Sequence, residues 1–189
     1  MSGALFEIEP AMGEAQPAQV PAFTEREMLD LLHKRFGFIA RNGGTAKPRY
    51  VKAEHVRARA GFFERGDIDG RTADFVAVDT WTSSRFAVHG VEVKVSRSDW
   101  LRELKDPSKA EAVRAWSNFW WLAVPHRSVV RDDELPAGWG LLTGQFREGR
   151  WCLRAVVQPV RTEVPPIPPE SVVSLLYAVA KTAAARGAA

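Results

Sequence analysis

The sequence predicts an α/β fold in which a mixed sheet is flanked by helices. Three features carry that expectation. A capped amphipathic segment comes first, three β-branched segments follow it, and a second helical segment then leads into a short, wholly apolar strand. The predicted order is α-β-β-β-α-β, with an extra C-terminal hairpin and helix.

Taken in order, residues 1–22 are rich in Ala, Glu, Pro and Gln and read as a flexible leader. Thr24-Glu25-Arg26-Glu27 fits a capping box, with Phe23 placed as a staple. The helix should run from Glu25 to about Phe36, with Met28, Leu31, Leu32 and Phe36 on its core side. Arg41 to Pro48 holds Asn-Gly-Gly and Pro and reads as a loop. Tyr50 to Arg57 makes a first strand, and Gly61 to Arg71 a second loop. Ala73 to Thr80 and Phe86 to Val95 are the next strands, joined through Thr82 to Arg85. Ser96 or Ser98 can cap a helix containing Trp100, Leu101 and Leu104. Asp106-Pro107 then opens a helix to about Trp116, so this region is one kinked helix or two. "NFWWLAV" (118–124) is a buried strand. Trp139 to Phe146 and Arg150 to Val157 form a late hairpin around Glu148-Gly149. The domain expected is 23–160, followed by a Pro-rich linker at 161–170 and a terminal helix within 171–189.

Composition narrows the function. The 189 residues are 46% hydrophobic, enough for one core of ordinary size. The net charge of +3 is compatible with a polyanionic partner and too small for strong nonspecific binding. Cys152 is the sole cysteine, which excludes an internal disulfide and a cysteine zinc cluster and fits a cytoplasmic setting. No signal-like apolar run and no stretch of about 18 apolar residues is present, so neither secretion nor a membrane span is expected.

The chemistry lies in "HGVEVKVSRSDWLRELKDP" (89–107). Val91, Val93 and Val95 share one face of a strand, and Glu92 and Lys94 share the other. In an antiparallel hairpin turning near Ser83-Ser84, paired residues sum to about 167, give or take a residue or two. An even sum puts Asp74 beside Glu92 or Lys94 on one face. Two close carboxylates repel and are costly to bury. A divalent cation relieves that, and a nearby Lys can orient or deprotonate a water and offset phosphate charge. The competing reading is a solvated sheet face.

These residues resemble the PD-(D/E)XK nuclease superfamily, with its restriction-endonuclease-like fold, and most closely MmcB-type DNA repair proteins and related phage and actinobacterial proteins. "RTADFVAVD", "HGVEVKVSRSDWLRELKDPSKAEA" and "NFWWLAVP" carry the likeness, over residues 24–125. The resemblance implies a metal-dependent DNA endonuclease of repair, recombination or phage DNA processing. The alternative is a DNA-binding or adaptor protein of the same fold without catalysis. It further implies that Asp74, Glu92 and the Val93 carbonyl hold Mg²⁺ or Mn²⁺ while Lys94 positions the attacking water. Ala73 precedes Asp74 where the pattern has Pro. Relatives often add a carboxylate from the first helix or strand, here Glu27 or Glu54, and Glu27 has the rival role of capping. Ser96 either joins the site or caps the next helix. Arg97, Arg102, Lys105 and Lys109 are the candidate DNA contacts, diluted by Glu103, Asp106 and Glu111. Many relatives dimerise, so a homodimer is the assembly it implies. The four histidines lack zinc spacing, and His89 reads as a satisfied core or edge histidine.

Overall fold

A computed structural model describes residues 21–42, 45–60, 72–105 and 111–187. The expected leader (but for its last two residues), the loop at 61–71, the Asp106-Pro107 helix start and Lys109 therefore lie outside the described residues. Helix α1 spans Glu25–Arg35. Its capping box forms as the sequence predicts: the Thr24 hydroxyl accepts from the Glu27 N–H, and the Glu27 carboxylate accepts from the Thr24 N–H at 2.8 Å. Strands β1 (Ile39–Asn42) and β2 (Thr45–Pro48) pair antiparallel, where a loop was expected. Their register sets Ile39 against Pro48 and Asn42 against Thr45.

The main sheet holds β3 (Tyr50–Arg57), β4 (Thr72–Asp79), β5 (Val88–Val93), β6 (Phe119–Val124), β7 (Gly140–Arg147) and β8 (Arg150–Val157), in that spatial order. β3, β4 and β5 are antiparallel, β5, β6 and β7 parallel, and β7 with β8 antiparallel. Between β5 and β6 stand α2 (Arg97–Lys105) and α3 (Glu111–Arg114). Helix α4 spans Pro169–Gly187. The sheet is thus mixed and open, with helices against it. β5 starts two residues later than expected because Arg85 and Phe86 both take positive φ to close the turn.

Alternation divides the core. On one face Phe75, Ala77, Val91, Val93, Trp121 and Ala123 meet Met28, Leu29, Leu32 and Phe36. On the other, Val76, Val88, Trp120 and Leu122 meet Trp100, Val113 and Trp116. Gly90 lets the Trp120 ring close over β5: a Cβ there would stand 2.1 Å from Trp120 Cζ3.

β3 is an edge strand, and α4 covers that edge. Ser171 Oγ donates to the Ala58 carbonyl, Ser174 Oγ donates to the Arg57 carbonyl at 2.9 Å, and Thr182 Oγ1 accepts from the Glu54 N–H at 2.9 Å. Ser171, Ser174, Ala178 and Thr182 recur at helical spacing and are buried, so one narrow, hydroxyl-bearing stripe satisfies the strand's outward groups. The proline-rich stretch before α4 has no regular structure, yet the Thr162 N–H donates to the Asn118 carbonyl at 2.8 Å and Ile167 packs on the core.

Candidate metal centre

β4 and β5 pair Phe75 with Val91 and Val76 with Gly90, a constant sum of 166. The next step of this register sets Asp74 against Glu92, one of the two neighbours that alternation allowed. Asp74 Oδ2 accepts a 2.7 Å hydrogen bond from the Val93 N–H, fixing the carboxylate at the end of β5. Lys94 Nζ lies 2.6 Å from Glu92 Oε1. It also lies 3.1 Å from Glu103 Oε2, on α2. The structure therefore brings Asp74, Glu92 and Lys94 together. It adds Glu103, which sequence reasoning set aside as a diluting surface charge. Glu103 stands three residues after the buried Trp100, on the same helical face, and that spacing is the signal that could have found it.

The group is short of positive charge. One ammonium faces Asp74, Glu92 and Glu103. Glu92 is only 7% exposed, and among the described residues neither Glu92 Oε2 nor Glu103 Oε1 has a hydrogen-bond partner. Burial pushes Asp74 up to about 6, against the Val93 N–H and Lys94, which lower it. Burial, then the charge on Asp74, pushes Glu92 up to about 8. Burial works to lower Lys94, but Glu92, Asp74 and Glu103 outweigh it and hold the ammonium above its ordinary range. Such a cluster is poised to accept a cation.

A second pair of residues reaches Asp74. Oxygens of Glu25 and Asp74 and a ring nitrogen of His55 all lie within 4.8 Å of one another. Glu25 is the first residue of α1. His55 takes the register position opposite Asp74, between the Glu54–Phe75 and Val56–Ala73 pairs, with a positive φ of 51°. A non-glycine residue in that region is strained and worth a functional explanation. Neither residue was a candidate from sequence. The register of β3 on β4 is set across a long connection rather than a tight turn, so no sum could be written for it.

The supporting candidates are placed elsewhere. Glu27 serves the capping box and not the site, because its oxygens accept from both the Thr24 N–H and its hydroxyl. Glu54 is turned away into an ion-pair hub, with His33 Nε2 at 2.8 Å, Arg26 at 3.0 Å and Arg186 at 2.7 Å. Burial acts to raise Glu54, but Arg186, Arg26 and His33 hold it below the usual range. Burial and the neighbouring Arg186 and Lys52 push His33 down to about 4. Ser96 caps α2, its Oγ accepting from the Asp99 N–H. Arg97 is bound by Glu134 and the Val129 carbonyl, and the largely exposed Arg102 pairs with Asp99. Lys105 is exposed. His89 is a core histidine: it stacks on Phe119 at 4.8 Å, accepts from Trp121 Nε1, and is pushed by burial down to about 4.

Comparisons with protein-family models, curated proteins and solved structures found no match.

Proposed function

We propose that this chain is a metal-dependent deoxyribonuclease of the PD-(D/E)XK kind, hydrolysing phosphodiester bonds at the Asp74–Glu92–Lys94 group. The observation that carries this reading is the charge imbalance: three carboxylates around one ammonium, with two buried carboxylate oxygens unpartnered among the described residues. The donors fit a hard divalent cation. Asp74 and Glu92 supply oxygens, with Glu25 in reach of the same carboxylate, and the His55 nitrogen suits Mn²⁺ better than Mg²⁺. When bound, such an ion supplies Lewis-acid polarisation of the phosphodiester and a more acidic water.

The chain's own residues have separable roles. The Val93 N–H fixes Asp74 as a directed oxygen donor. Glu92 and Glu103 keep Lys94 protonated, so Lys94 donates hydrogen bonds to the attacking water and the phosphoryl oxygens and does not take the water's proton. α2 shields this face, which strengthens each of these interactions. The double clamp on Lys94 also favours one second reading, a DNA-binding protein without catalysis: an ammonium that never leaves its two carboxylates cannot reach a water.

The test is cleavage of labelled single-stranded, duplex and forked DNA with Mn²⁺ or Mg²⁺, using Asp74→Ala, Lys94→Ala and an EDTA control. The proposal expects metal-dependent cutting that both substitutions abolish. Binding without cutting would support the second reading, and neither would remove both.

A further inference from the structure

A groove of about 320 Å³ lies between β3 and α4, and His55 is one of its walls. Its other side chains include Arg57 from the strand, Arg59 just past the strand's end, and Tyr177 and Lys181 from the helix. His55, Arg57 and Arg59 are exposed while Val56 and Ala58 between them are buried. Tyr177 and Lys181 stand four residues apart on α4, and Tyr177 is 72% exposed. Among the described residues, the carboxylates at the groove leave Arg57 and Lys181 uncancelled. Glu54 is occupied by the hub described above, and Glu170 pairs with Arg59 at 3.7 Å.

Exposed cations and an exposed aromatic ring facing one groove suit one kind of ligand. Phosphates of an extended strand meet Arg57 and Lys181, and an unstacked base lies on Tyr177. The groove reaches His55, which is shared with Asp74 and Glu25. We infer that the α4–β3 groove binds a single strand of nucleic acid and leads it to the candidate metal centre. This rests on the hydrolytic reading for what happens at the end of the groove, but not for binding within it. α4 then has two roles, covering the free edge of β3 and forming the far wall of a strand-binding track.

The test is fluorescence anisotropy with a labelled single-stranded DNA in EDTA, across a salt series. The full-length chain is compared with Arg57→Ala/Lys181→Ala, Tyr177→Ala and Asp74→Ala, with duplex DNA and single-stranded RNA as further probes. The slope of log affinity against log salt should fall by about 1.4 in the double variant, about 0.7 for each cation removed. Tyr177→Ala should weaken binding roughly fivefold to a hundredfold, while Asp74→Ala keeps binding. RNA bound equally well would support a groove that reads phosphate and base alone. An unchanged slope and affinity in these variants, or duplex bound more tightly than single strand without need of Tyr177, would overturn it. Binding without cleavage under any metal would support the groove and overturn the hydrolytic reading; cleavage indifferent to the groove variants would do the reverse.

Discussion

Replacing Asp74 by Asn should stabilise the metal-free protein at pH 8. Asn keeps an oxygen for the Val93 N–H but removes a buried charge. Burial raises the Asp74 carboxyl from 3.8 to about 6, so its ionised form is disfavoured in the folded state. The sign follows from linkage. A carboxyl whose folded pKa is raised favours folding only while protonated, so the cost is small near pH 4, grows through pH 6, and is complete above it. A rise of roughly two pH units corresponds to about 3 kcal/mol. Exchanging a charged for a neutral hydrogen-bond acceptor returns about 1 kcal/mol of that. The net gain of about 2 kcal/mol raises Tm by roughly 4–8 °C for a chain of this size. Relief of Glu92, which the Asp74 charge also raises, acts in the same direction. The assay is thermal unfolding in EDTA at pH 8 and pH 4. A variant that unfolds at or below the parent temperature at pH 8, or keeps its full advantage at pH 4, would refute the reasoning. Most substitutions destabilise, so the predicted sign is a demanding one.

Further outcomes follow from the same geometry. Mn²⁺ must displace protons from Asp74 and Glu92, so calorimetry should show its affinity rising at least about tenfold between pH 6 and pH 8. At one hundred times its Kd the ion should add about 2.7 kcal/mol to stability, a gain absent from Asp74→Asn. Thr24→Ala removes the α1 cap and should cost about 1 kcal/mol in chemical denaturation without altering Mn²⁺ affinity. Gly90→Ala drives a methyl into Trp120 and should cost about 1–3 kcal/mol or more by the same assay, where a surface glycine would tolerate it.

Much of the fold was legible because its signals are local. Thr24 to Glu27 spells its cap, the alternation of Val91, Glu92, Val93 and Lys94 gives the strand and its two faces, and the apolar run at 119–124 is buried on both sides. The tight turn near Ser84 sets the β4–β5 register, which is why Asp74 could be placed beside Glu92 or Lys94 from sequence. What was missed depends on tertiary placement. Glu25 and His55 reach Asp74 only through the docking of α1 and the pairing of β3. Glu54 looked available because its partners Arg26, His33 and Arg186 come from α1 and from α4, 132 residues away in the case of Arg186. The β1–β2 hairpin was read as a loop because its strands are only four residues long.

The most direct test of a metal-binding Asp74 group is anomalous diffraction from crystals grown at pH 8 with Mn²⁺. The account predicts an anomalous peak bonded to an Asp74 carboxylate oxygen, flanked by Glu92 or by Glu25 and His55, and absent in Asp74→Ala. Ordered Asp74 and Glu92 side chains with no peak between them at saturating Mn²⁺ would contradict it.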